Sequence, residues 1–283
     1  MVLPPEVALL VLLAAVLHAS WNVLVKIGGD RLLVQTTVIG TGSVACALAL
    51  PFVALPPLAA WPCVVASVVI HNAYFFFLLR AYAHGDLSQV YPIARGTSPL
   101  VVALLAIPLA GEHLTLGALT GVALVTLGLA SLASGRRADG DGRAVAYALA
   151  TGLLIAAFTL VDGLGVRRAP DPLSFILWMQ AGEIVPLGAF VWLRRRDRVA
   201  AFLAANGARG LVSGVIGGVM AVSAYGIVLW AYSRAALAPV AALRETSVVM
   251  ASAFGALSLG EPFGLRRVIA SAVVVAGVAL LNF

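Results

Sequence analysis

Polar and apolar positions along this chain neither alternate nor recur as the narrow stripe of a surface helix; they fall in long blocks. From Leu32 to Leu79 no Asp, Glu, Lys or Arg occurs in 48 residues, and the breaker cluster LPPLAAWP at 55 to 62 divides the run midway. A helix rising about 1.5 Å per residue needs about 20 residues to cross roughly 30 Å of hydrocarbon, so this run holds two spans. The same ruler applied to the whole chain predicts ten helices, at 6–26, 33–54, 60–80, 88–109, 114–133, 144–165, 172–193, 210–233, 236–258 and 265–282. The connections are short. The longest are the polar, Gly-rich SGRRADGDGR at 134 to 143, which reads as a linker, and RRRDRVAAFLAANGAR at 194 to 209.

Composition agrees: 62% of the 283 residues are hydrophobic, 11% are charged and the mean hydropathy is +1.05, against about 25% charged in soluble domains. The expected class is an all-α polytopic membrane protein. The first apolar stretch has no basic leader and ends in Lys26 rather than a small-residue cleavage site, so it reads as a retained helix and not a signal peptide. Cys46 and Cys63 fall in or beside predicted spans and suggest neither a metal site nor a disulfide.

The net charge of +6 points to nucleic acid only until its placement is considered. Connections after the odd-numbered predicted helices carry Lys26, Arg31, Arg80, Arg136, Arg137, Arg143, Arg194, Arg195, Arg196, Arg198, Arg209, Arg266 and Arg267, while the other side has Arg167, Arg168 and Arg234. Thirteen against three is an orientation signal: it places the first set in the cytoplasm and both termini outside, with lipid bilayer and not nucleic acid as the partner.

Two stretches break the apolar pattern in the same way, YPIARGTSPL at 91 to 100 and AALRETSVVM at 241 to 250. Ala81, Tyr82, Leu87 and Val90 match Ala231, Tyr232, Leu237 and Val240; after a one-residue gap, Arg95, Thr97, Ser98, Gly111, Glu112, Leu116 and Gly128 match Arg244, Thr246, Ser247, Gly260, Glu261, Leu265 and Gly277. The period is half the chain. Five helices per half is an odd number, so the second copy enters the membrane from the opposite side. The expected architecture is two inverted five-helix repeats, 1–133 and 144–283, joined by the linker 134–143 into one integrated membrane domain.

The R-x-T-S-P-L segment followed by GEHLTLGALTG at 111 to 121, its echo RETSVV with GEPFGL, and HASWNVLVK in the first helix resemble the EamA-like branch of the drug/metabolite transporter superfamily across essentially the whole chain. That resemblance implies ten helices in two inverted halves around a central cavity, and movement of small metabolites. By analogy, helices 1, 3, 4, 6, 8 and 9 line the cavity, where the matching residues include His18, Asn22, Asn72, Tyr91, Arg95, Tyr225 and Arg244. The copies differ in that Pro99 becomes Val248, and Gly96 after Arg95 becomes Glu245 after Arg244.

A central arginine facing lipid costs at least ~2.5–3.5 kcal/mol, so Arg95 and Arg244 are expected to face protein or a watery cavity. Each either pairs with an acid such as Glu183 or Asp162, or caps backbone carbonyls, or takes the anionic part of a substrate on its bidentate fork or forms a gate. His18, Asn22 and Lys26 share a stripe of the first helix, bordered by Trp21, and His71, Asn72 and Tyr74 cluster in the third. Lys26 reads as snorkelling to the interface. Glu183, near the middle of predicted helix 7, either forms a buried pair or, with Asp162 or Glu245, couples transport to protons. Glu112 and Glu261 each precede a helix and read as structural carboxylates at a positive helix end. Gly117, Gly121 and Gly128 in helix 5, and Gly210, Gly214 and Gly218 in helix 8, form small-residue stripes for close packing within the bundle or in a homodimer.

The functional expectation is a secondary transporter that moves a small polar metabolite, an amino acid or another zwitterionic or anionic compound, out across the plasma membrane by alternating access. The alternatives are a translocator of lipids or lipid-linked metabolites, or a non-transporting membrane sensor on the same fold. No catalytic constellation, metal spacing or Walker motif stands out, and the GTG at 40 to 42 lacks the strand that a nucleotide fingerprint follows, so neither an enzyme, a metal nor a cofactor is expected.

Overall fold

A computed structural model describes residues 3–27, 30–85, 87–133, 142–259 and 264–281. The linker 134–141 and the Gly260–Glu261–Pro262 echo lie outside the described residues, as does the side chain of Lys26. The described chain is helical throughout, in the order α1 (Pro5–Ile27), α2 (Arg31–Ala49), α3 (Trp61–His84), α4 (Leu87–Ala110), α5 (Leu116–Ala133), α6 (Gly142–Arg168), α7 (Pro172–Gly182), α8 (Ile184–Arg234), α9 (Leu237–Arg244), α10 (Thr246–Leu259) and α11 (Leu265–Leu280). Among the described residues, seven stretches are long and apolar enough to cross a membrane.

The eleven α-helices do not coincide with the ten expected. Expected helix 7 is interrupted at Glu183, where the backbone N–H bonds three residues back to Gln180 O. Pro186 has no N–H to offer Gly182, four residues earlier, and this loosens the same turn. Expected helix 9 is interrupted at Glu245, whose N–H also reaches only three residues back, to Ala242 O at 3.1 Å. The basic stretch from 194 onward, expected as a connection, is helical up to Gly207, whose φ of +48° turns the chain into the second part of α8. Ala200, Ala201, Ala204 and Ala205 favour helix, and nothing in that stretch breaks it before the Asn206–Gly207 pair.

Packing repeats between the halves. α3 and α4 lie on α6; correspondingly, α8 and the α9–α10 pair lie on α1. Asp30 and Asp171 cap α2 and α7, each accepting from the backbone N–H two residues on. α5 packs on α11, where a Cβ on Gly121 would stand 2.6 Å from Gly277 O, one on Gly277 2.7 Å from Gly121 O, and one on Gly128 3.1 Å from Ala270 O. Gly121 aligns with Ala270 and Gly128 with Gly277, so each contact is the counterpart of the other, as a two-fold relation requires. The glycine stripe is therefore used within one chain. Gly214 and Gly218 of the α8 stripe are likewise covered, by Thr37, Thr41 and Gly42 of α2, whereas Gly210 meets Asn206 of its own helix.

The buried core is lopsided. Val7 and Val11 of α1, Val64 of α3, Val102 and Ala106 of α4, Leu160 of α6, Phe175 and Met179 of α7, Leu229 of α8, and Leu237 and Leu243 of α9 join one large cluster at one end of the bundle. The opposite end has a much smaller one, Ala81, Val90, Ala144 and Ala148 with Tyr82, Ile93 and Tyr147 against them.

Candidate functional site

Between these clusters lies a cavity of about 100 Å³. Eight of the residues that the sequence singled out line it: His18 and Trp21 from α1, His71 and Tyr74 from α3, Arg95 from α4, Glu183 from the α7–α8 break, Tyr225 from α8 and Arg244 from the end of α9. α2 and α7 contribute as well, through Ser43 and Gln180. α4 reaches its place because Gly152 of α6 offers no side chain; a Cβ there would stand 2.7 Å from Ala94 O.

The two arginines meet on one carboxylate. Arg95 Nη1 donates to Glu245 Oε1 at 3.2 Å, and Arg244 Nε lies 3.8 Å from the same oxygen. Neither Glu183 nor Asp162 is the ion-pair partner of either arginine. The Arg95 guanidinium is further held by His18, whose Nε2 accepts from Nη2, an arrangement that uses the neutral imidazole protonated at Nδ1. Its Cζ lies 5.4 Å from the centroid of the Tyr91 ring, so Tyr91 supports Arg95 by a cation–π contact. Arg244 has fewer partners. Its Cζ sits 5.6 Å from the Tyr225 ring and 5.9 Å from that of Phe158, and its Nε and Nη1 make no hydrogen bond. It is nonetheless only 6% exposed.

The remaining expected residues stand behind the cavity wall. Asp162 is fully buried and accepts from the Tyr225 hydroxyl. Asn72 donates to Val68 O at 2.9 Å and to Glu183 O at 3.3 Å, which ties α3 to the helix break. Asn22 turns back to His18 O on its own helix at 2.7 Å. Glu183 itself faces His71, with Oε1 3.8 Å from Nε2; the His71 ring stacks on Phe158 at 3.9 Å.

Sequence reasoning missed Phe158, Gln180 and Ser43. Gln180 had a signal, since it is the one long polar side chain in LSFILWMQAG; its Nε2 is buried without a partner, while Ser43 donates to its carbonyl at 2.7 Å. Phe158 had none. Among the cavity-lining residues the unpartnered buried polar atoms are all N–H groups: Trp21 Nε1, Arg95 Nε, Gln180 Nε2, and Arg244 Nε and Nη1. Such a surface suits a ligand rich in acceptor oxygens.

Glu112 is structural in a different way from that expected. It does not serve α5, which follows it, but α9: Leu237 N donates to both its oxygens, at 2.8 and 3.0 Å. Cys46 and Cys63 are free and buried, and Cys63 Sγ accepts from Arg168 at 2.9 Å.

Comparison with known proteins adds three findings. The family model of the EamA-like transporter family matches residues 6–134 and again 142–283. A solved crystal structure superposes with a TM-score of 0.72 at 16% identity, covering 98% of this chain and 96% of that one, which is a likeness of fold. No curated protein matches.

Proposed function

Since the chain belongs to the EamA-like transporter family and is a multi-pass membrane protein of two repeats, we propose that it is a secondary transporter of the plasma membrane that exports a small polar metabolite by alternating access. In this reading the eleven helices form ten spans, α7 joining the first part of α8 and α9 joining α10. The halves 1–133 and 144–283, linked by 134–143, are inverted relative to each other. The carboxylate or other oxyanion of an amino acid or small acid binds Arg244 and Arg95, with His18, Trp21 and Tyr225 around it. Asn22, Asn72 and Tyr91 hold that shell in place. Glu183, Asp162 and Glu245 are the acids through which a proton gradient could drive the cycle.

One observation carries the reading: two buried guanidiniums, one from each repeat, share a single carboxylate oxygen at the cavity, and one of them, Arg244, makes no hydrogen bond through Nε or Nη1. A buried N–H without a partner is costly, about 1–3 kcal/mol, so an acceptor brought by a solute is favoured there. Arg95→Gln and Arg244→Gln should each abolish flux of the transported solute in proteoliposomes while membrane insertion and elution profile stay unchanged. Normal flux through both variants would remove the proposal. Flux indifferent to an imposed pH gradient would remove the proton-coupling part alone.

A further inference from the structure

At the large-core end, one charged cluster fastens the two halves together. Glu112, in the connection between α4 and α5, is 8% exposed and spends its carboxylate on the second half. It accepts from Leu237 N at the start of α9 through both oxygens, and from Arg167 Nη2 at 2.8 Å. Arg167, at the end of α6, extends the grip: Nε donates to Tyr232 O at 2.8 Å and Nη2 to Ala235 O at 2.7 Å. One acid and one base thereby satisfy the first free N–H of α9 and two late carbonyls around the end of α8. These are the groups that a helix terminus leaves unpaired, and Glu112 and Leu237 are both buried.

The position of the cluster matters more than its strength. Leu237, whose N–H Glu112 accepts, belongs to the large apolar cluster, so the charged cluster lies against the more heavily packed end of the bundle. The opposite end has the small cluster around Ala81, Val90, Ala144 and Ala148. Opening this end means drawing the α4–α5 corner away from the α8–α9 corner, and every side-chain hydrogen bond of Glu112 crosses from the first half to the second.

We propose that Glu112 and Arg167 form the gate latch of this end of the transporter: their bonds across the repeats hold the cavity shut here, and the cycle opens this end by parting them. This rests on the alternating-access reading above. A latch differs from a static brace in one measurable respect, because breaking it shifts the population of two states instead of merely loosening the bundle.

The test uses the full chain in nanodiscs with both native cysteines replaced by serine and one reporter thiol added. Ala238→Cys lies in the large apolar cluster, and Ala148→Cys lies in the opposite cluster; both parent residues are fully buried. The rate of modification by a charged, water-soluble methanethiosulfonate is measured in the parent background, in Glu112→Gln and in Arg167→Gln, with gel filtration and a melting curve for each. Each latch variant is expected to raise the Ala238→Cys rate about tenfold or more, as the loss of a charge-assisted hydrogen bond implies, and to lower the Ala148→Cys rate. An unchanged Ala238→Cys rate in well-behaved latch variants would overturn the proposal, as would both rates rising together, which reports loss of packing. A rise at Ala238→Cys with no change at Ala148→Cys would support the latch while sinking alternating access.

Discussion

Glu245 is the acid on which both cavity arginines depend, so Glu245→Gln is the most informative single change at the site. The magnitude follows from the distances. At an effective dielectric of about 20, a pair of unit charges 3.2 Å apart gains roughly 5 kcal/mol and one 3.8 Å apart roughly 4. Because both guanidinium nitrogens touch one oxygen, they are at most about 7 Å from each other, and without the carboxylate they repel by about 2 kcal/mol. Desolvation offsets much of the attraction in the parent, so the expected net loss is about 3–5 kcal/mol, the range for removing one partner of a buried pair. The assay is a double-mutant cycle of parent, Arg244→Gln, Glu245→Gln and the pair, followed by tryptophan fluorescence during unfolding in one detergent. Adding Arg244→Gln to Glu245→Gln removes the repulsion and should recover about 2 kcal/mol. If Glu245→Gln unfolds with the parent, or if the double variant loses more than the two single losses combined, Glu245 does not hold the two arginines.

Gly121→Ala should destabilise the chain by about 1–3 kcal/mol, because its Cβ would meet Gly277 O at 2.6 Å. Gly188→Ala, whose nearest neighbour would be Ile184 at 3.6 Å, should stay within about 0.5 kcal/mol of the parent; equal melting of the two variants would refute the α5–α11 contact. Thiol labels at His84 and Arg234, the matching ends of α3 and α8, should react from opposite sides of the membrane, and reaction from one side would refute the inverted arrangement.

Hydropathy and repeat spacing located the helices well where the apolar runs were uninterrupted, as in α1 to α6. They could not see the breaks at Glu183 and Glu245, because a single loosened turn scarcely alters an average over 20 residues. Nor could they see the helix from 194 to 206, since charge marks where a chain leaves lipid and not where a helix ends. Arg95 and Arg244 were legible as charges inside apolar runs, but their partner was not. Glu245 directly follows Arg244, and neighbours on a helix point about 100° apart, so sequence spacing gave no reason to place it against Arg95, 150 residues away. Glu112 was legible as a helix-capping carboxylate but not as one serving α9 in the other repeat. That assignment depends on which corners of the bundle meet, and no local pattern encodes it.

The divergence between the repeats explains why two arginines share one acid. In α4 the residue after Arg95 is Gly96, where a Cβ would crowd Leu129 Cβ and Thr126 O of α5, each at 3.3 Å; close helix packing disfavours a large side chain there. In the second half the same place holds Glu245, and there the helix is broken. The N–H of Glu245 is satisfied three residues back, and Thr246 Oγ1 donates to Leu243 O at 2.7 Å, so the interruption leaves these groups paired despite the apolar surroundings. The first repeat therefore contributes a base with no acid beside it, and the second contributes a base together with the acid that serves both. Two repeats each carrying an Arg–Glu pair would balance at the cavity. Two guanidiniums against one carboxylate oxygen do not, and Arg244, which lines the cavity, is left with buried donors that make no hydrogen bond.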